Sequence, residues 1–152
     1  MFAVQLGGKG SLDEESLAWK SEGRRNPVTS DVPTPLYYRG HFYVLSDLRS
    51  AISKIDPESG KVVWSVPMPR EAKWRASPTG ADGRVWCMDH NGTVVALDAE
   101  SGEIVTVAQM GGDEDQKARS SVVAAHGCLF IRTDTTLYCV GASKSDTDSD
   151  GD

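Results

Sequence analysis

Short runs of β-branched and aromatic residues alternate along this chain with clusters of Gly, Asp, Asn and Ser. Apolar runs of this length, bounded in this way, are typical of strands joined by tight turns. The segment His90-Asn91-Gly92, between two such runs, is a strong hairpin signal. The pattern predicts an all-β protein.

The turns recur at a fixed period. The segment 56–60, Asp-Pro-Glu-Ser-Gly, returns 42 residues later at 98–102 as Asp-Ala-Glu-Ser-Gly, and each copy lies between two apolar runs. A second register agrees with the first, because Gly40, Gly83 and Gly127 precede β-rich runs at spacings of 43 and 44. A period of about 40–45 residues marks the four-stranded blades of a β-propeller. The sequence therefore predicts a partial β-propeller with blades of four antiparallel strands.

The period assigns strands A to D to each blade, from the innermost to the outermost. In the two complete blades, strands are predicted at 34–38, 41–46, 51–56 and 61–66, and then at 75–79, 84–88, 93–98 and 103–109. Two partial blades flank them, with strands at 2–6 and 16–20, and at 119–124, 128–132 and 136–140. The blades occupy residues 1–32, 33–74, 75–118 and 119–141 of a single domain, 1–141. We expect either a fragment of a longer propeller with missing blades, or a protomer that closes its ring by self-association.

The segments 54–64 and 96–106 resemble the repeat motif of the PQQ-like, or quinoprotein-like, propeller family, A-x-D-x-x-T/S-G-K/E-x-x-W. The first departs only at Lys54 and the second only at Thr106. The resemblance implies that the motif residues have structural roles. The Asp forms hydrogen bonds with the turn backbone, the Gly adopts a positive φ, and the Trp packs between blades. The residues with this implied role are Asp56, Gly60, Trp64, Asp98, Gly102 and Trp19.

Members of this family differ in function, so the resemblance leaves alternatives open. The leading interpretation is a non-catalytic binding or scaffold module that presents a loop face to a protein, a saccharide or an anionic ligand. One alternative is the C-terminal part of a PQQ-dependent quinoprotein dehydrogenase. Another is the propeller sensor region of a receptor-type serine/threonine kinase. The resemblance also implies an extracytoplasmic, for instance periplasmic, location.

The chemistry-bearing residues predict no catalytic site, no cofactor and no metal. A dehydrogenase of this family is expected to carry two adjacent cysteines and calcium ligands, whereas Cys87, Cys128 and Cys139 lie apart and lack zinc or disulfide spacing. The histidines occupy turns of different repeats, without a nucleophile or carboxylate at a spacing that predicts a dyad. They are His41, His90 and His126.

Charge and hydropathy exclude other classes. The 152 residues carry a formal net charge of −6, which argues against a nucleic-acid partner. No apolar run approaches the ~20 residues that span a bilayer, and the first residues lack the pattern of a signal peptide. The acidic segment 142–152 imitates the start of a calcium loop but stops before the bidentate Glu, so a flexible tail is predicted.

Basic residues concentrate in the connections from strand D of one blade to strand A of the next. In a propeller these connections gather on one face, where rigid scaffolds place binding groups. Seven of the 16 basic residues lie there: Arg24, Arg25, Arg70, Lys73, Arg75, Lys117 and Arg119. The pattern predicts a positive mouth on an acidic protein. The alternative is solvated charge balanced by Asp113, Glu114 and Asp115 of the same connections.

Arg75 and Arg119 are the leading candidates for ligand contact, because each lies eight residues ahead of the A-to-B turn glycine of its blade. Arginine suits bidentate contact with carboxylate or phosphate. Trp74, next to Arg75, has two interpretations: stacking on a sugar ring or a partner side chain, or packing in the core between blades.

Overall fold

The structure is a computed structural model that describes residues 1–11, 13–22, 26, 28–112, 115 and 117–141. Within these residues it contains thirteen strands in four antiparallel sheets and a one-turn 3-10 helix at Glu14–Ser16. The tail at 142–152 lies outside the described residues.

The four sheets follow one another along the chain, and each is a simple meander. We number them as blades 1 to 4. Blade 1 contains β1 (Phe2–Val4) and β2 (Leu17–Lys20). Blade 2 contains β3 (Leu36–Tyr38), β4 (His41–Ser46), β5 (Ala51–Ile55) and β6 (Val62–Pro67). Blade 3 contains β7 (Thr79–Ala81), β8 (Arg84–Met88), β9 (Thr93–Asp98) and β10 (Ile104–Gln109). Blade 4 contains β11 (Val123–Ala125), β12 (Cys128–Arg132) and β13 (Leu137–Gly141). The prediction of an all-β partial propeller with two complete and two partial blades is confirmed.

The A-to-B hairpin is the same in blades 2, 3 and 4. Its two central residues both have positive φ, which defines the I′ turn that matches the twist of paired strands. The pairs are Arg39-Gly40 (48° and 78°), Asp82-Gly83 (49° and 71°) and His126-Gly127 (51° and 72°). Equivalent positions in successive blades can therefore be compared residue by residue.

The inner strands are shorter than predicted. Strand A was predicted at 75–79 and 119–124, whereas β7 and β11 begin only at Thr79 and Val123. The residues ahead of them bond to neighbouring blades instead: Thr34 N donates to Ser77 Oγ at 3.0 Å, and Thr79 Oγ1 donates to the Val122 carbonyl at 2.5 Å. Pro78 cannot donate to a ladder. The connections therefore tie blades together before each hairpin starts.

The main core lies between blades 2 and 3. Its buried side chains come from the facing sides of both sheets and from the connection between them: Tyr43, Leu45, Ile52, Met68, Trp74, Val85, Cys87, Val95, Leu97 and Ala99. A smaller cluster lies between blades 3 and 4: Ala76, Met88, Val94, Ala118, Val122 and Ile131. Burial of apolar surface between sheets is thus what holds adjacent blades together.

A tryptophan of each of the first two blades rests on the C-to-D turn of the next blade. Trp19 Nε1 donates to the Pro57 carbonyl at 2.8 Å, and Trp64 Nε1 donates to the Glu100 carbonyl at 2.9 Å. A Cβ placed on Gly60 would lie 2.5 Å from the Trp19 ring, and one on Gly102 would lie 2.9 Å from the Trp64 ring. Each glycine thus leaves room for the indole that covers it.

The aspartate of each turn organises the turn backbone. Asp56 Oδ1 accepts from Ser59 Oγ at 2.6 Å and from Ser59 N at 2.7 Å, and Asp98 Oδ1 accepts from Ser101 N at 2.8 Å and Ser101 Oγ at 3.0 Å. These hydrogen bonds favour the ionised carboxylates and lower the pKa of both aspartates. The turns are therefore held in shape at neutral pH.

Lys54, which departs from the repeat motif, adds an ion pair between blades. Its side chain is 1% exposed, and its Nζ lies 2.8 Å from Oε2 of Glu100 in the C-to-D turn of blade 3. The hydrogen bond and the positive charge of Lys54 lower the pKa of Glu100. The repeat motif has a small residue, Ala, at this position. In this chain the lysine at that position links blade 2 to blade 3.

Gly60→Ala is expected to reduce the free energy of unfolding by about 1–3 kcal/mol more than Gly40→Ala does, because the new methyl group collides with the Trp19 ring. Both glycines have positive φ, at 68° and 78°, and Gly40 has no atom within 4 Å of its would-be Cβ. The shared backbone cost therefore cancels in the comparison. Urea unfolding of the two variants measures the difference, and equal losses would show that the indole does not press on Gly60.

Glu100→Gln is expected to lower the melting temperature at pH 7 and to flatten its dependence on acid pH. The folded-state pKa of Glu100 is lowered, so the stabilisation is complete above the ordinary pKa of the carboxyl and is lost as pH falls through the folded value. Glu103→Gln is the matched control, because Glu103 is exposed and forms no ion pair within the described ranges. A series of thermal melts from pH 7 to about pH 3 tests this, and identical profiles for both variants would contradict it.

Candidate anion-binding cleft

Three loop segments meet at the C-terminal end of β8. They are the connection before β7, the B-to-C turn after β8, and the connection before β11. The main chain of His90, in the B-to-C turn, links this turn to both connections. Its amide N–H donates to the Lys73 carbonyl at 3.0 Å, and its carbonyl accepts from Ala118 N at 2.8 Å. Main-chain bonds therefore set the spacing of the loops on this face.

These loops surround a cleft of about 450 Å³, which we call the cationic cleft. Its lining consists of Ala72, Lys73, His90, Asn91, Lys117 and Arg119. Among the described residues, Lys73, Lys117 and Arg119 form no ion pair. Three cations without an ion-pair partner in the described part of the chain thus face one small depression of an acidic protein.

Arg75 and Arg119 are not equivalent in their contacts. Arg75 Nε donates to Asp47 Oδ2 at 2.9 Å, and Asp47 Oδ1 accepts from Trp74 N at 2.8 Å. The carboxylate of blade 2 therefore neutralises Arg75 and fixes it beside the connection. Arg119 is exposed and lines the cleft.

The difference between the two arginines arises from one position of the repeat. Asp47 and His90 each lie seven residues after the glycine of their own A-to-B turn. Where blade 2 offers a carboxylate to the following connection, blade 3 offers an imidazole and a main-chain carbonyl. Arg119 consequently finds no counterpart of Asp47 in the B-to-C turn of blade 3, where His90 stands instead.

The surroundings of His90 disfavour its protonation. Partial burial lowers the pKa of His90, the charges of Arg75 and Arg119 lower it further, Asp47 opposes them, and Lys73 adds to the decrease. The neutral imidazole has one donor and one acceptor nitrogen. The cleft therefore combines fixed positive charge with a titratable group that responds to that charge.

The structure separates the six predicted ligand-binding residues into two groups. Lys73, Lys117 and Arg119 line the cleft, whereas Arg75 is paired with Asp47 and does not line it. Arg70 turns away: its Nε lies 3.6 Å from Asp89 Oδ2, and its Nη1 donates to Thr93 Oγ1 at 3.3 Å.

Trp74 is fully buried, and its Nε1 donates to the Arg70 carbonyl at 3.2 Å. Its indole fills the core beneath the connection, so no face of the ring is open for stacking on a sugar or a partner. The stacking interpretation of Trp74 is therefore wrong, and the core alternative describes its position.

Other parts of the predicted positive mouth differ from expectation or cannot be placed. Arg24, Arg25, Asp113 and Glu114 lie outside the described residues. Asp115 forms no ion pair with the cleft cations among the described residues, and its carboxylate accepts from Thr133 Oγ1 and, at 3.0 Å, from Thr135 N of blade 4. His90 and Asn91 were not predicted as cleft residues. The equivalence of His90 with Asp47 is the signal that points to them.

Within the described ranges, no group of three or more His, Cys, Asp or Glu side chains is placed to hold a metal ion. No helix of the described chain is long and apolar enough to cross a membrane.

Comparison with known proteins places the chain in a family. A family model described as outer membrane protein assembly factor BamB matches residues 10–145. No curated protein sequence matches the chain significantly.

Solved structures share the fold. BamB from Moraxella catarrhalis is 21% identical with a TM-score of 0.60, and the match covers 78% of this chain and 34% of that chain. A quinohemoprotein alcohol dehydrogenase from Pseudomonas putida HK5 is 17% identical with a TM-score of 0.58, covering 67% and 16%. The computationally designed Ika8 protein is 9% identical with a TM-score of 0.65, covering 83% and 36%.

The chain spans only about a third of the length of the Moraxella protein and a sixth of that of the dehydrogenase. At these identities the structures establish the common fold. The match to the family model extends over most of the sequence. The chain therefore belongs to the PQQ-like repeat family described as outer membrane protein assembly factor BamB.

Proposed function

We propose that this chain is a non-catalytic propeller module that binds a partner protein by seating an anionic group, such as a carboxylate, in the cationic cleft. The observation that carries the proposal is the set of three cations without ion-pair partners in the described chain, Lys73, Lys117 and Arg119, around one depression. An anion placed there removes the mutual repulsion of these groups.

The donor types suit an oxyanion. Arg119 offers a planar fork that bonds a carboxylate through two N–H groups, and the lysines act as mobile point charges. Asn91 and His90 add neutral donors at the cleft wall. Because main-chain bonds hold the three loops together, little ordering is required when the ligand binds.

The nature of the partner is proposed from the family. Its description concerns the assembly of outer membrane proteins, which favours a protein partner and an extracytoplasmic location over a reaction with a small substrate. A propeller supports this role physically, since rigid blades carry loops whose charges can diverge without changing the sheets.

Replacing Arg119 and Lys117 together with Ala is expected to weaken binding of a tetraglutamate peptide by at least about tenfold, because each removes a charge-assisted hydrogen bond of about 1.5–3 kcal/mol. Lys9→Ala with Lys61→Ala is the matched control, since it removes the same charge at exposed positions outside the cleft. Isothermal titration at two salt concentrations measures both. Equal affinity for the cleft variant and the control would reject the cleft as the anion site.

Binding of tetraglutamate is also expected to raise the pKa of His90, because the anion offsets the positive charges that lower it in the free protein. Affinity should therefore increase as pH falls through the pKa of His90, and His90→Asn should remove that increase. NMR titration of the imidazole with and without peptide measures the change. A His90 pKa that is unchanged by saturating peptide would contradict occupancy of this cleft.

A further inference from the structure

A second cleft lies at the other end of β8, between blades 3 and 4. It has a volume of about 650 Å³, and its lining includes Ala81, Trp86, Ala124, Gly127, Cys128 and Leu129. It is formed by the A-to-B hairpins of the two blades and the end of β13. Most of its lining is apolar side chains and backbone, but Asp82, Arg84 and His126 also line it.

The corresponding place between blades 2 and 3 is filled by a tyrosine. The ring of Tyr38 lies on Gly80, where an added Cβ would be 2.5 Å from Tyr38 Cγ. The hydroxyl oxygen of Tyr38 accepts from Gly83 N at 3.0 Å. One phenol side chain thus closes the space between two neighbouring inner hairpins.

The interface between blades 3 and 4 has an equivalent backbone N–H donor, but it has no tyrosine at the equivalent position. The residue equivalent to Tyr38 is Ala81, the residue equivalent to Gly80 is Ala124, and the donor equivalent to Gly83 is Gly127. In the shared I′ hairpin, Ala125 pairs with Cys128, and the N–H of Gly127 is not used by the ladder. The space for a ring is open, with a suitable backbone donor at its edge.

The rest of this interface is also less filled. Thr106 stands where the preceding blade has Trp64, and Trp86 Nε1 is buried with no hydrogen-bond partner among the described residues. The segment 142–152 contains no aromatic residue and so cannot supply the ring. Any ring that occupies this place therefore comes from elsewhere than segment 142–152.

We propose that the cleft between blades 3 and 4 binds the phenolic ring of a tyrosine side chain from another polypeptide. The ring packs against the outer side of the Ala124 methyl group, farther from the backbone than Tyr38 lies from Gly80, and its hydroxyl oxygen accepts from Gly127 N. The cleft is much larger than one ring, so it has room for the main chain on either side of the tyrosine. This proposal does not depend on the cationic cleft, which lies at the opposite end of β8.

N-acetyl-tyrosine methylamide is the probe for this site. It is expected to bind saturably, to change the fluorescence of Trp86, and to shift the amide resonance of Gly127. N-acetyl-phenylalanine methylamide should bind about 3- to 10-fold more weakly, because it lacks the oxygen that accepts from Gly127. Equal affinity for the two amides would overturn the proposed hydrogen bond. If p-cresol binds as tightly as the tyrosine amide, the source is a free phenol and the polypeptide source is overturned.

A double variant that fills the cleft with a tyrosine of this chain is the decisive test. Ala81→Tyr with Ala124→Gly copies the arrangement of Tyr38 and Gly80, so it should raise the melting temperature and weaken probe binding by at least about tenfold. Ala124→Gly alone is the control and should still bind. Ala81→Tyr alone should be destabilised by collision with the Ala124 methyl group. A folded double variant that binds the probe like the native protein would refute the site.

A second measurement needs no change in the cleft wall. Cys128 lines the cleft and Cys87 is fully buried, so Cys139→Ser leaves Cys128 as the accessible thiol. The rate of its reaction with a disulfide reagent should fall at least about threefold at saturating probe. An unchanged rate would overturn the proposal even if the double variant failed to fold.

Discussion

Apolar packing between neighbouring sheets holds the blades together, and at the first two interfaces it includes contact between an aromatic ring and a turn or strand glycine of the next blade. Trp19 lies on Gly60, Trp64 lies on Gly102, and Tyr38 lies on Gly80. A blade of a few short strands cannot bury enough apolar surface alone, so its stability comes from its neighbours. In each contact a large aromatic side chain lies on a glycine, which has no side chain. A larger residue at the glycine position therefore requires a smaller residue in place of the ring.

The two clefts follow from places where one blade departs from another at equivalent positions. Between blades 2 and 3, Asp47 neutralises Arg75 at one end and Tyr38 closes the other. At the next interface, His90 and Ala81 occupy those positions, which leaves Arg119 unpaired among the described residues and the hairpin groove open. The sheets are retained while a cleft opens at each end of β8. A repeat scaffold permits this because single substitutions in loops and inner strands leave the turn aspartates and glycines in place.

The features that sequence alone could predict are local ones. Hairpin and C-to-D turns were predicted because Gly and Asp determine them within a few residues, and the middle strands agree closely with prediction. The inner strands were predicted too long and too early, since alternation of apolar residues does not reveal that Ser77 and Thr79 bond to other blades. Likewise, the residues around Trp74 in the sequence do not indicate whether its side chain contacts a ligand or packs in the core.

The sequence by itself therefore determined the repeat, its period and its family, because these rest on interactions spanning a few residues. Only the tertiary structure decided which basic residues form ion pairs. Arg75 and Asp47 are separated by 28 residues, and Lys54 and Glu100 by 46, yet both pairs are in contact. Charge neutralisation, burial and open space depend on which blade faces which, and that arrangement is set by packing between sheets.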